Sequence, residues 1–229
     1  MPRTITSTIG GRVLTIEDTK DNFQASAFSL PDGSLGMEAA LGDNYAHDRA
    51  ADVPYYVTPG VAHTQIWWIR GTQGNDQWRF GVKQQNVGTI GAFNSQWYHY
   101  TSGNNARLAF ALSSAQWQTI TLAGLGGSGA WGMEGFAYDP NIGNFGAIKP
   151  IYNGTYTSNF NGTNPNPVDL SQPLRSLTTP ELSIGGYWDY ALSTGTAGTG
   201  GFAIAKMASI PNKVLTDTEL ADLYLAMAP

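Results

Sequence analysis

Two carboxylates facing one another across a scissile bond are the mark of glycoside hydrolysis. The nearest candidates in this chain are Glu134 and Asp139, whose odd spacing sets them on opposite faces of a regular strand. Glu38, Glu181 and Glu219 are scattered, and Glu219 falls where a helix cap would use it. His47, His63 and His99 have no partner at i, i+4, so local spacing supports no zinc site. The run Gly124-Leu-Gly-Gly-Ser-Gly129 matches a dinucleotide fingerprint, but Gly132, Gly135 and Pro140 follow where a phosphate-holding helix is required. It reads as a loop. Gly33-Ser-Leu-Gly36 and Gly127-Ser-Gly129 each lack one glycine of a nucleophile elbow, with Asp32 and Ala130 in those places, and read as turns. Asp139-Pro-Asn141 with Asn144, and the stretch from Asp43 to Asp52, carry oxygens that calcium accepts. For the first, an Asx-turn followed by a proline turn is the simpler reading. No catalytic residue, metal or cofactor is therefore expected.

Aromatic side chains are the remaining candidates for binding. Tyr187, Trp188 and Tyr190 follow a strand beside a Gly/Thr-rich loop, and Trp131 lies in another Gly-rich stretch. Flat rings in loops stack on the apolar C–H faces of sugars. They also anchor protein–protein contacts, and many of the 7 Trp and 11 Tyr must serve the core.

Composition narrows the partners. Charged residues are 13% of 229, against roughly 25% in ordinary soluble domains. The surface must then be rich in Gly, Thr, Ser, Asn and Gln, which suits protein packing or neutral polar ligands. The net charge is −5 and no Lys/Arg run occurs, which argues against nucleic acid and anionic membranes. With no cysteine, disulfides and thiolate chemistry are excluded. No apolar stretch reaches the ~18 residues that span a bilayer, and the first residues show no secretory signal.

The elements that would carry these residues are strands. Trp78, Phe80 and Val82 alternate onto one face, as do Leu108, Phe110 and Leu112. Thr64–Arg70 is apolar on both faces, as a central strand buried on two sides would be. Trp97–Thr101 and Trp117–Leu122 are aromatic and β-branched. Phe202, Ile204, Lys206 and Ala208 share a face, and the strands flanking the Gly195–Gly201 loop read as a pair. Asn153-Gly154 and Asn161-Gly162 predict two tight hairpins, a simpler account than glycosylation. One helix is expected from Thr216 to Met227, with a Thr216–Glu219 capping box, Leu215 and Leu220 as staple, and a stripe of Leu220, Leu223, Tyr224 and Met227. The expectation is all-β: one domain over residues 1–229, a two-sheet antiparallel jelly-roll sandwich with one short C-terminal helix.

Ile184-Gly-Gly186, the strand opened by Gly201-Phe202 and the phrase Leu215-Thr-Asp-Thr-Glu-Leu-Ala-Asp-Leu-Tyr224 together resemble the laminin-G-like, concanavalin-type jelly rolls. Trp117–Leu122 is similar to that family's mid-domain strand. The resemblance implies fold alone, since such domains serve as lectins, glycosidases, adhesive modules and viral surface proteins. The first functional expectation is a non-catalytic virion protein of a bacteriophage (capsid decoration, fibre or tail), assembled in the host cytoplasm, homo-oligomeric and packed against other virion proteins. The alternative is an extracellular or cell-surface lectin-like module that binds glycans. A third is a divergent polysaccharide hydrolase or lyase working through Glu134.

Overall fold

A computed structural model describes residues 3–6, 13–16, 25–31, 35–39, 46–48, 53–71, 77–85, 95–102, 105–114, 116–122, 130–157, 167–184, 186–189, 194–197 and 202–229. In chain order the strands are β1 (Arg3–Thr6), β2 (Val13–Ile16), β3 (Ala25–Ser29), β4 (Leu35–Ala39), β5 (Ala46–Asp48), β6 (His63–Gly71), β7 (Gln77–Gln84), β8 (Ser95–Ser102) and β9 (Asn105–Ala111). They continue with β10 (Trp117–Thr121), β11 (Gly132–Asp139), β12 (Ala147–Tyr152), β13 (Thr155–Tyr156), β14 (Val168–Asp169), β15 (Pro180–Ile184), β16 (Gly186–Asp189), β17 (Thr194–Ala197) and β18 (Phe202–Pro211), and α1 (Asp217–Met227) closes the chain.

Two antiparallel sheets form a sandwich. The first runs β1-β2-β5-β15-β7-β8-β9-β10, and the second runs β13-β12-β11-β6-β18-β4-β3 with β14 also on β12. Alternation decides what each strand gives to the interior. Phe80, Val82, Trp97, Leu108, Phe110, Ile120, Leu182 and Ile184 of the first sheet meet Trp67, Ile69, Phe136 and Ile204 of the second. Trp67 and Trp97 stack across this core at 5.9 Å and 4°, and Phe136 meets Phe110 edge-on at 4.9 Å. Each such buried side chain contributes about 1.5–3 kcal/mol, and aromatic geometry adds about 0.5–1.5.

β6 is apolar on both faces because it has two cores to fill. Trp67 and Ile69 point between the sheets, while Ile66 and Trp68 point under α1 with Met133, Ile151, Leu215, Leu220 and Met227. Tyr224 of α1 stacks on Trp68 at 5.2 Å. The cap is as the sequence predicts: Glu219 N donates to Thr216 Oγ1 at 3.3 Å, and Thr216 N donates to Glu219 Oε2 at 3.0 Å. Lys213 pairs with the same carboxylate. These bonds, Lys213 first, lower the Glu219 pKa to about 2. At Asn153-Gly154 both residues have positive φ, 45° and 79°, which makes the tight turn between β12 and β13. Asn161-Gly162 and Gly124–Gly129 lie outside the described residues.

Two expectations need correction. β15 and β18, on either side of the Gly/Thr loop, are not paired: β15 joins β5 and β7 in the first sheet, and β18 joins β6 and β4 in the second. β17 pairs instead with β16. Nor do Phe202, Ile204, Lys206 and Ala208 share one face. A bulge between Ile204 and Lys206 shifts the register, so Ile204 pairs with inward Ile69 whereas Lys206 and Ala208 pair with Trp68 and Ile66 on the helix side.

Candidate functional site

The outer face of the first sheet, away from α1, carries an aromatic cluster. In β8 the residues facing the core are Trp97 and His99, so Tyr98 and Tyr100 face outward. Register places Tyr98 opposite Ala109 and Gly81, Tyr100 opposite Arg107, and Trp117 opposite Ala111. The Tyr98 ring meets Trp117 edge-on at 4.8 Å and Tyr100 at 5.2 Å. Ala109 and Ala111 are fully buried beneath these rings, which themselves stay half-exposed. A Cβ on Gly81 would lie 2.5 Å from Trp97 O and 2.6 Å from Tyr98 Cβ, so the close approach of β7 to β8 requires glycine. Around the rings the same face offers Asn105, Arg107, Thr119 and Thr121, all at least partly exposed. Burial, with the neighbouring Tyr100 adding to it, pushes the Tyr98 phenol up, so it stays protonated and able to donate at neutral pH. Toward the sheet centre, Lys83 Nζ and Glu181 Oε1 form a sealed ion pair at 2.8 Å, 1% and 0% exposed. They sit outward by the alternation that sends Val82 and Leu182 inward.

A second polar group lies between the sheets. Glu134 and His99 meet at 2.6 Å (Oε2 to Nε2), 1% and 0% exposed. His99 stacks on Phe80 at 5.0 Å and 10°, and the edge of Trp67 covers it at 5.6 Å. A bulge in β7 between Trp78 and Phe80 turns Arg79 inward as well. A Cβ on Gly71 would stand 2.0 Å from Arg79 Nη2, so β6 leaves room for the guanidinium there. Burial, then the Arg79 charge, lower the His99 pKa against the pull of Glu134. Burial works to raise Glu134, but His99 and Arg79 outweigh it and hold the carboxyl below its ordinary range. The group is a neutral imidazole donating to a carboxylate within reach of a cation's field. A carboxyl sealed in this way does not meet a polysaccharide, so the arrangement gives Glu134 a structural part.

The aromatics singled out by sequence fall elsewhere. Trp131 is half-buried at the edge of the helix-side core, with the Arg70 guanidinium 5.0 Å from its ring centre. Tyr187 and Trp188 lie in β16, opposite Thr196 and Gly195 of β17, and their side chains are outside the described residues. Tyr190 is outside them entirely. Trp131 belongs with the second sheet, whereas β16 follows β15 of the first. At Asp139-Pro-Asn141 the Asx-turn is present, Asn141 N donating to Asp139 Oδ1 at 3.0 Å. Among the described residues no group of three potential metal ligands forms, and no helix is long and apolar enough to cross a membrane. Sequence reasoning passed over Tyr98, Tyr100, Arg107 and Trp117. Their signal was the alternation in Trp97-Tyr-His-Tyr100, which puts two rings on each face.

No family model matches the chain, and no curated protein matches it. Solved structures share its fold. It is similar to the receptor-binding domain of botulinum neurotoxin type G, with a TM-score of 0.57 and 12% identity over 98% of this chain and 51% of that one. It is similar to the receptor-binding domain of the C/D mosaic neurotoxin, at 0.59 and 10% over 98% and 51%. A third is the serotype D ligand-binding domain in complex with N-acetylneuraminic acid, at 0.56 and 9% over 97% and 50%. The chain thus spans about half the length of these domains. At such identities the likeness establishes a shared sandwich and nothing of its chemistry.

Proposed function

We propose that this chain is a non-catalytic carbohydrate-binding module whose ligand lies on the outer face of β8, β9 and β10. The observation that carries the reading is the outward cluster of Tyr98, Tyr100 and Trp117 over the buried Ala109 and Ala111. Ring faces held rigid by a sheet and half-open to solvent suit the C–H faces of pyranoses. The surrounding guanidinium, amide and hydroxyl groups suit their hydroxyls. Two neighbours in fold are receptor-binding domains and one is a ligand-binding domain in complex with N-acetylneuraminic acid, which supports the same direction. The packing role on a phage particle draws no support from these neighbours. The module would serve on a virion or outside a cell equally well, since glycans are met in both places.

The test is a glycan array probed with the chain, followed by titration of the best sugar against Trp117→Ala and Tyr98→Ala. Each variant is expected to weaken binding about tenfold, the scale of one lost aromatic contact. An array without hits, or hits that both variants keep at full strength, would overturn the proposal.

A further inference from the structure

Arg107 is a cation at the edge of the aromatic cluster. In a chain of 12 Lys and Arg with a net charge of −5, a positive side chain has acids to spare. Lys83 pairs with Glu181 and Lys213 with Glu219. Arg70 covers Trp131, and Lys149 lies 3.9 Å from the ring centre of Tyr156. Arg79 is enclosed in the interior with Glu134. Arg107 is half-buried with its Nε shut off from solvent, and that nitrogen has no hydrogen-bond partner. Among the described residues no ion pair or ring contact is found for the guanidinium. A buried donor left unmade costs about 1–3 kcal/mol, and more when charged, so its place on the sheet needs a reason.

Position supplies one. Arg107 sits outward between Tyr100 on β8 and Thr121 on β10. One row along, two residues and about 7 Å away, come Tyr98 and Thr119, and two rows along comes Trp117. A planar guanidinium recognises a planar carboxylate through two parallel N–H···O bonds.

We propose that the glycan bound on this face carries a carboxylate, as sialic and uronic acids do, and that Arg107 receives it while the rings of Tyr98, Tyr100 and Trp117 hold the sugars. This rests on the carbohydrate-binding reading and names its ligand class. The buried Lys83–Glu181 pair is neutral overall, so Arg107 adds positive charge to the face beside Tyr100.

The probes are matched oligosaccharides: sialylated, uronate-containing, sulfated without carboxylate, and neutral. The expected result is binding of the carboxylate members, weakened by salt. Arg107→Ala should reduce it about tenfold or more, and Arg107→Lys should restore only part, because the fork geometry is lost. Both changes lie outside the core, and unchanged unfolding curves would show that the fold survives. Preference for neutral or sulfated members, or an Arg107→Ala variant that binds carboxylate sugars at full strength, overturns the assignment. Neutral-sugar binding that Trp117→Ala abolishes would remove this assignment and leave the carbohydrate-binding reading standing, whereas failure of every probe removes both.

Discussion

Acid should weaken this sandwich, and His63 sets a scale for the loss. His63 opens β6 at 4% exposure, its Nε2 2.8 Å from Ser209 Oγ. Burial lowers its pKa from 6.5 to about 4, although its hydrogen bond to the Pro54 backbone works the other way. Because the folded value lies below the unfolded one, the unfolded chain binds the proton more readily. The stability is whole above pH 6.5 and is lost as pH falls toward and through about 4. At about 1.36 kcal/mol per pH unit, the gap amounts to about 3 kcal/mol by pH 4. That is a large share of the ~5–15 kcal/mol typical of a folded domain. His99, also lowered mainly by burial, loses stability in the same direction as pH falls below 6.5. Urea unfolding at pH 7 and pH 4, followed by the fluorescence of buried Trp67 and Trp97, measures the sum. With a slope of about 3 kcal/mol per molar, His63 alone should move the midpoint by about 1 M. His63→Gln keeps an amide donor and cannot titrate, so its midpoint should fall by about 1 M less. A variant whose midpoint falls as far as that of the parent would refute the reasoning.

Three further outcomes follow from the packing. His99→Leu should destabilise by about 1–3 kcal/mol or more at neutral pH by taking the hydrogen-bond partner from the buried Glu134 carboxylate, read in the same urea assay. Gly135→Ala should cost about 1–3 kcal/mol or more, since its Cβ would stand 2.2 Å from the backbone oxygen of Gln65 and neither strand can yield; thermal unfolding reads it directly. Thr216→Ala should cost about 1 kcal/mol and lower the melting temperature by a few degrees, because it removes one half of the capping box.

What could be read from sequence was local. The Thr216–Glu219 box, the Asn153-Gly154 turn and the inward Leu108, Phe110 and Leu112 depend on residues a few positions apart, and the structure has them as expected. The doubly apolar β6 was also legible, because both its cores demand the same residue types. The misses were questions of register. One extra residue near Ala205 reverses the second half of β18, and another at Arg79 turns a cation inward; neither has a mark in composition. Glu134 and His99 meet from opposite sheets across 35 positions, so no motif announces them. The outer cluster needed the alignment of β8, β9 and β10 to bring Tyr98 and Trp117 together. Half of its pattern, the outward tyrosines, was already in the alternation of β8.

The most direct test of the central claim is to see where a sugar sits. A crystal structure of the chain with an oligosaccharide from the array should place pyranose rings against Trp117 and Tyr98, with a carboxylate at Arg107. A sugar found instead on Trp131, or on the β16–β17 hairpin of Tyr187 and Trp188, would contradict it.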